Sequence, residues 1–320
     1  MATSSENPAI PSEKRNATAR VTTLCEWSRC SLATIRDCIR FVRSNIPDIE
    51  YEKATAPETK TKYTLFVYPS ASGLQSSRNL KKFKSLPSHF PESLLYQTLA
   101  LESPLRDEIE IKFTTNFYQS PTKSIPFLLT PDGRPLVGTQ LTNLLIHGSE
   151  TKKDEEPDLD LQTQAFIHMA ENALGDALLY FYFFDQEYFS TTTRPLLGAD
   201  LPWPVLFLEG SNVRNEVQKT LESRHSFLDP ESISNAASDA LKIFEMQLNH
   251  PEEVGEQDKP KENIFFNGNS SPAILDFTVF AYFYLISNVF GKEHSLTKLA
   301  LGFPNLKTHS AAILERTYKK

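Results

Sequence analysis

Cysteine is scarce in this chain and is confined to its N-terminal part. The 320 residues contain three cysteines, Cys25, Cys30 and Cys38. The rest of the chain has no thiol from which a disulfide framework could be built, so we expect a reducing compartment. The three cysteines have no histidine nearby and form no Cys-x-x-Cys pair, so the sequence predicts free thiols and no zinc site. A redox role for them stays open.

Basic charge is also scarce outside the N-terminal part. The net charge is −7, but residues 1–46 carry +3, from seven basic and four acidic side chains, which leaves −10 for the remainder. A nucleic-acid partner would require a basic stripe, and the sequence has none after residue 46. The sequence therefore predicts no nucleic-acid partner, while the basic N-terminal part remains available for an acidic surface.

No hydrophobic run is long and uniform enough to span a membrane. Residues 1–11 lack the basic cluster and apolar core of a secretory signal, and residues 315–320 form no apolar tail. The longest candidate, 273–290, is interrupted by polar side chains and bounded by Pro272 and Gly291. We therefore predict a buried helix at 273–290 and a chain that begins in an aqueous compartment.

Common catalytic and metal motifs are missing as well. The sequence has no His-Glu-x-x-His pair, no glycine-rich phosphate loop and no Gly-x-Ser-x-Gly elbow, and its seven histidines are dispersed. Asp176, Asp185 and Asp276 are lone carboxylates of the kind that caps a helix or faces solvent. The sequence therefore predicts no metal, no cofactor and no enzymatic activity.

Composition and apolar periodicity first set apart an N-terminal extension, residues 1–60. It begins with a segment too polar to fold by burial and includes a basic amphipathic helix at 31–46. Arg36, Arg40 and Arg43 lie away from the apolar positions of that helix. They could contact an anionic membrane or a partner groove, or the helix could imitate a matrix presequence or pack on its own body.

The next part, residues 61–150, has the element order of a thioredoxin-like domain. Its elements are predicted in the order strand, helix, strand, strand, strand, helix, at residues 63–68, 92–101, 109–113, 124–130, 135–137 and 139–147. An acidic linker at 151–160 then leads to an all-helical domain at 161–320.

Two helices of the second domain have recognisable apolar faces. The first face contains Leu161, Ala165, Met169, Ala173 and Ala177, widened by Phe166, Ala170 and Leu174. The second helix begins at the N-cap Asp229 with Pro230 in its first turn, and its face contains Ile233, Ala236, Ala237, Ala240, Leu241, Phe244 and Leu248. A charged loop at 251–263 precedes the predicted buried helix.

This α/β domain followed by a helical domain resembles the glutathione transferases. The pair Ile125-Pro126 stands at the head of the third strand, where the thioredoxin superfamily keeps a cis-proline. Residues 272–276 resemble the segment that caps the central helix of the second domain. The usual Ser or Thr of that cap is Ala273 here, so the cap is incomplete unless Ser270 or Ser271 replaces it.

Within that superfamily, the sequence is most similar to the metaxins, which in fungi are accessory subunits of the sorting and assembly machinery. The likeness covers residues 60–318, and four segments carry it: 120–138, 201–204, 274–285 and 303–318. The chain looks closer to the metaxin type without a hydrophobic tail anchor. Trp203, between two prolines, could anchor an interface or pack between the two domains.

The metaxin resemblance implies a binding role at the mitochondrial outer membrane. It implies a peripheral subunit on the cytosolic face, held by its partners: the β-barrel assembly channel, a second metaxin-like subunit and β-barrel precursor proteins. A precursor strand would need a groove or sheet edge. The vestigial glutathione cleft is one hypothetical place, with Ile125, Pro126, Phe127, Leu128, Gly138 and Thr139.

The same resemblance shows which transferase chemistry is lost. A transferase needs a hydroxyl near the end of its first strand to stabilise a thiolate, and the candidates are Tyr68, Ser70 and Ser72. The acidic residue and Ser that hold the γ-glutamyl end of glutathione are Gly138 and Thr139 here. The alternatives that remain are a glutathione transferase with a serine-type active site and a cytosolic scaffold of transferase shape.

Overall fold

The computed structural model describes residues 62–70, 86–120, 122–149, 159–199, 205–249, 264–268 and 271–318. All of them lie within one structural unit, Glu52–Lys320. The predictions for the N-terminal extension with its arginines and cysteines lie outside the described residues. So do Ser72, Trp203, most of the linker and the loop at 251–263. The predicted domain boundaries therefore stay predictions.

The first described part is a four-stranded sheet with two helices. Its elements follow the chain as β1 Tyr63–Val67, α1 Pro91–Glu102, β2 Ile109–Phe113, β3 Phe127–Leu129, β4 Pro135–Leu136 and α2 Gly138–His147. The strand order is β2-β1-β3-β4. Strand β1 runs parallel to β2 and antiparallel to β3, and β3 pairs antiparallel with β4. The predicted element order and final hairpin are confirmed, and so is the cis peptide bond between Ile125 and Pro126.

The two faces of β1 pack against different cores. Leu65 and Val67 are fully buried in the main core, together with Leu94 of α1 and Leu141 of α2. Phe66 points to the other face, where its ring stacks on Phe127 at a centroid distance of 4.6 Å. The alternation follows from the strand period of two, and full burial of one leucine side chain contributes about 1.5–3 kcal/mol.

Helices make up the rest of the described chain. They are α3 Leu161–Met169, α4 Gly175–Phe184, α5 Gln186–Tyr188, α6 Arg194–Gly198, α7 Val205–Arg224, α8 Pro230–Asn249, α9 Ile274–Asn288, α10 Ser295–Ala300 and α11 Pro304–Tyr318. Two π-helical turns, Ala170–Leu174 and Phe189–Thr193, join α3 to α4 and α5 to α6. The predicted α/β part followed by a helical part is confirmed.

Helix α9 is the central element of the bundle, as the sequence predicts. Eleven of its 15 residues are buried, among them Phe280, Ala281 and Leu285, so protein surrounds it on several sides. In the described residues no helix is both long and apolar enough to cross a membrane.

The first predicted apolar face of the helical domain is partly wrong. Leu161 is 83% exposed and Ala165 is also exposed, whereas Ala170, Leu174 and Ala177 are buried. The buried positions Ala170, Leu174 and Leu178 also follow a spacing of four, but they lie one residue beyond the predicted series. The face predicted for α8 is confirmed except at Ala236, which is exposed.

Asp276 holds the start of α9 in place and is completely buried. Its Oδ2 accepts a hydrogen bond from Ala273 N at 2.8 Å, and its Oδ1 accepts from Phe266 N at 2.9 Å. His309 Nε2 of α11 lies 3.0 Å from the same Oδ1. Ala273 has no hydroxyl to accept from the backbone N–H of Asp276, so the carboxylate half of the predicted box is made without its serine half. Phe266 N and His309 are further partners of the Asp276 carboxylate.

The sheet part and the helical part are joined by polar and aromatic contacts. The Tyr318 hydroxyl lies 2.9 Å from Thr98 Oγ1, and Arg316 Nε donates to Glu102 Oε2 at 2.9 Å. Before α1, His89 stacks with Tyr182 and Tyr188, and its Nε2 lies 2.7 Å from the Tyr188 hydroxyl. Burial lowers the pKa of His89 to about 4.

We expect Asp276→Ala to destabilise the protein severely. The change would leave the buried backbone N–H of Phe266, the part-buried N–H of Ala273 and buried His309 without their acceptor, at about 1–3 kcal/mol for each buried unsatisfied group. The matched control is Asp229→Ala, which removes an exposed cap of α8 and should cost about 0.5–2 kcal/mol. The measurement is the free energy of unfolding in urea. Equal losses for the two variants would contradict this account.

We expect His89 to make stability fall in acid. Its folded pKa lies below the usual 6.5, so the unfolded state binds the proton more readily. This contribution is complete above pH 6.5 and is lost as the pH falls toward 4, by up to about 3 kcal/mol. The His89→Phe variant should lose that part of the pH dependence, whereas His168→Gln, an exposed control, should keep it. Unchanged pH profiles in both variants would refute the assignment.

Candidate binding site at the end of strand β1

Two buried serine hydroxyl groups near the end of β1 hydrogen-bond to the backbone of Tyr68. Tyr68 N donates to Ser93 Oγ at 3.2 Å, and Ser88 Oγ donates to Tyr68 O at 2.7 Å. Ser88 N donates to Gln97 Oε1 at 2.8 Å. Ser88, Ser93 and Gln97 are buried. These groups fix the loop before α1 to the strand and leave neither serine hydroxyl free for a thiolate.

The phenol of Tyr68 does not have the properties of a thiolate stabiliser either. Its pKa lies well above the ordinary value because the side chain is buried and the charge of Glu92 is near. Its ring packs against Phe90 at a centroid distance of 4.6 Å. Ser70, the other described candidate, is half-buried and already makes an interaction of its own.

Most residues of the predicted vestigial cleft are core residues. The side chains of Ile125, Pro126, Phe127 and Leu128 are buried, so they are not available as a wall for a ligand. Phe127 belongs to the second core and Leu128 to the main core. The structure thus separates these four residues from the exposed end of the site.

Gly138 and Thr139 lie on the exposed side of the predicted cleft. Gly138 has φ of +53°, which is favourable for glycine and strained for an acidic residue. The carboxylate that would hold glutathione is therefore absent from the sequence and poorly compatible with this backbone. The Gly138 carbonyl lies 3.4 Å from the Tyr96 hydroxyl, which also lies 3.0 Å from Thr142 Oγ1.

Tyr96 belongs to an acidic cluster, which we define as Glu92, Tyr96, Glu171 and Tyr282. Glu92 and Tyr96 are one turn apart on α1, so they share a face of that helix. Glu171 lies in the π turn before Gly175, and Tyr282 of α9 lies against Gly175. Helix α9 packs on both α1 and this π turn. The cluster therefore brings together three elements that are distant in the sequence.

The two glutamates place negative charge close to the tyrosines of the acidic cluster. Glu92 is exposed along its side chain, but protein surrounds its carboxyl closely enough to raise its pKa, and the charge of Glu171 raises it further. Burial raises the pKa of Tyr96 and of Tyr282, and both carboxylates add to each increase.

Tyr282 is the most enclosed member of the acidic cluster. It is 7% exposed, and its Cε1 would lie 3.4 Å from a Cβ atom at Gly175. Among the residues that the structure describes, none forms a hydrogen bond with its hydroxyl.

The cations beside the acidic cluster are already engaged. Arg224 Nη1 donates to Asp176 Oδ1 at 2.7 Å, and His225 Nε2 lies 2.8 Å from Asp176 Oδ2. Asp176 is 3% exposed, so the expectation of a solvated or local capping carboxylate is wrong at this position. Asp185 does act as a local cap, because its Oδ1 accepts from Tyr188 N. His168 lies 3.4 Å from Glu171 on the exposed side.

Sequence reasoning missed the acidic cluster because no motif links its members. The pair Glu92 and Tyr96 at helical spacing was the available signal, but Glu171 and Tyr282 join it only through the packing of α9. Within the described part of the chain, no group of three His, Cys, Asp or Glu residues could hold a metal.

Comparisons with known proteins give two sequence matches. Residues 93–214 match the family Tom37, described as an outer mitochondrial membrane transport complex protein. Metaxin-1 of Mus musculus is 25% identical over 217 residues, which cover 64% of this chain. The alignment also covers 64% of metaxin-1, so the chain matches less than two thirds of that relative.

Two solved glutathione transferases are similar in structure at low identity. One, from Methylobacillus flagellatus with glutathione bound, is 12% identical with a TM-score of 0.41, over 80% of this chain and 98% of that chain. The other, the trimeric Leishmania TDR1, is 15% identical with a TM-score of 0.40, over 81% of this chain and 46% of that chain.

The Tom37 match contains two of the four segments, 120–138 and 201–204, and the sheet order, final hairpin and helical bundle agree with the fold that the resemblance implies. The chain is therefore similar in sequence to the Tom37 family over residues 93–214 and to metaxin-1.

Proposed function

We propose that this chain is a non-enzymatic subunit of a mitochondrial outer-membrane transport complex. The observation that carries the proposal is the match of residues 93–214 to the family described as an outer mitochondrial membrane transport complex protein. The similarity to metaxin-1 supports the same role. In finer detail, we propose a peripheral subunit on the cytosolic face that belongs to the sorting and assembly machinery.

The proposed partners are polypeptides. They are the β-barrel assembly channel, a second metaxin-like subunit and the β-barrel precursors that the channel inserts. Arg36, Arg40, Arg43 and Trp203 remain proposed contacts to a partner or to the membrane. The exposed end of the vestigial cleft, at Gly138 and Thr139, remains the proposed place for a precursor segment.

The chemistry at the end of β1 supports a role without catalysis. Ser88 and Ser93 are buried and bonded to the backbone of Tyr68. A transferase needs the opposite, namely a free hydroxyl that stabilises a thiolate. Crowded carboxylates would also repel glutathione, which carries net negative charge.

We expect this protein to co-purify with a membrane-embedded β-barrel protein from mitochondria. Affinity purification through a tag on the full chain, followed by mass spectrometry, provides the measurement. Alkaline carbonate should release the chain from membranes, because the proposal places it there through partners. The Trp203→Ala variant tests whether this tryptophan contributes to recovery, with Phe227→Ala as the exposed aromatic control. Recovery of no barrel protein would refute the proposed complex.

We expect the purified chain to show no retention on immobilised glutathione and no conjugation of 1-chloro-2,4-dinitrobenzene. The Ser88→Ala variant should lower stability by about 1 kcal/mol, because it removes a buried hydrogen bond. We expect no conjugation activity in this variant, as in the natural chain. Turnover by the natural chain that falls in Ser88→Ala would support the transferase alternative instead.

A further inference from the structure

We infer that strand β2 pairs with β2 of a second copy of this chain. The two strands run antiparallel and are centred on Ile111, so that two four-stranded sheets join into one. The inference begins from the strand order β2-β1-β3-β4, in which β2 and β4 are the two edges. An edge strand presents unpaired backbone groups to which another strand can bind.

The two edges of the sheet differ in how readily they can accept a strand. Strand β4 has two residues, and the first of them, Pro135, has no backbone N–H to donate. Strand β2 has five residues and contains neither proline nor glycine. Among the residues that the structure describes, β2 pairs with β1 alone. The edge at which a second strand can be added is therefore β2, which is the edge opposite to Gly138 and the proposed cleft.

The ladder to β1 determines which backbone groups of β2 point outward. Thr114 N, directly after β2, donates to Val67 O at 3.0 Å. Because alternate residues of a strand bond to opposite sides, the even-numbered residues of β2 bond to β1. The backbone groups of the odd-numbered residues, Ile109, Ile111 and Phe113, therefore point away from β1. Apart from the Ile109 N–H, which bonds within the turn before β2, none of these outward groups has a partner in the described ranges.

The charges of β2 favour a copy of the same strand as the partner. In an antiparallel register centred on Ile111, Glu110 lies opposite the partner's Lys112, and Lys112 lies opposite the partner's Glu110. The Glu110 and Lys112 side chains are 37% and 43% exposed, so both are accessible. Directly opposed residues have Cβ atoms about 4.5–5.5 Å apart, which is within reach of a salt bridge. Antiparallel pairing therefore forms two ion pairs, whereas a parallel copy in the same register would bring like charges together.

The apolar residues and the backbone of β2 match in the same register. Ile111 lies opposite the partner's Ile111, and Phe113 lies opposite the partner's Ile109. These side chains are half-buried against the main core, and pairing would cover apolar surface that they still expose. The outward N–H and C=O of the two Ile111 residues also face each other, so the two residues can exchange two hydrogen bonds. Backbone, charges and apolar side chains thus agree on one register.

The test measures the oligomeric state of the full purified chain by sedimentation velocity over a range of concentrations. The natural chain should form a dimer in a concentration-dependent equilibrium. The variants Glu110→Lys and Lys112→Glu each place like charges opposite each other in this register, so each should weaken the dimer by at least about tenfold. The double variant with both changes exchanges the two charges and should dimerise like the natural chain.

An equimolar mixture of the two single variants separates strand pairing from any other effect of these charges. One β2 then carries two lysines and the other two glutamates, so opposite charges face each other again and a heterodimer should form. Added salt should weaken this heterodimer. The matched control, Glu216→Lys, reverses an exposed carboxylate on α7 and should dimerise like the natural chain. Thermal unfolding of every variant shows whether it is folded.

Three outcomes would overturn the inference. They are a monomer at every concentration, a dimer that neither single variant weakens, and a mixture of the two single variants that stays monomeric. Each result comes from purified protein, whereas the recovery of a barrel partner from mitochondria tests the proposed complex. The inference about β2 does not depend on that complex, so either can fail without the other.

Discussion

The burial of helix α9 is the constraint on which the rest of the structure depends. The helix packs against α1 of the sheet part and against α10 and α11 of the bundle. Its start is fixed by Asp276, whose carboxylate receives two backbone N–H groups and contacts His309 of α11. Because α9 is held at this end, its residue Tyr282 is positioned opposite Gly175, where the acidic cluster forms. The site is therefore a consequence of core packing.

The same arrangement explains why a transferase-like fold can serve as a binding protein. In this chain the hydroxyls at the end of β1 stabilise the loop before α1, and Gly138 has a backbone conformation that disfavours the acidic residue of a glutathione site. What remains near the former cleft is a group of phenols and carboxylates. This composition is the one on which the proposed binding role rests.

The order of strands and helices was predictable from the sequence because each element carries its own period. The strand at Ile109–Phe113 has the predicted bounds, and the buried helix at α9 has the expected apolar composition. The third strand is shorter than predicted, Phe127–Leu129, because its pairing partner in β1 is a three-residue segment. The exposed Leu161 was mispredicted because the buried series of this helix, Ala170, Leu174 and Leu178, is offset by one residue from the predicted face.

The candidate site could not be predicted to the same degree. The sequence alone predicts that Asp176 is a solvated carboxylate. In the structure, Arg224 at the C-terminal end of α7 donates a hydrogen bond to it. No sequence motif links Glu92 and Glu171. Their arrangement depends on the packing of α9 against α1 and against the π turn at Ala170–Leu174. Helix periods are local information, whereas contacts across a bundle require the packed structure.

The central claim is that this fold binds polypeptides at the mitochondrial outer membrane. A cryo-electron microscopy structure of the complex purified from mitochondria through this chain tests it most directly. The account predicts the chain on the cytosolic face of a membrane-embedded barrel. A structure of a free homo-oligomer with glutathione bound beside Tyr68 would contradict it.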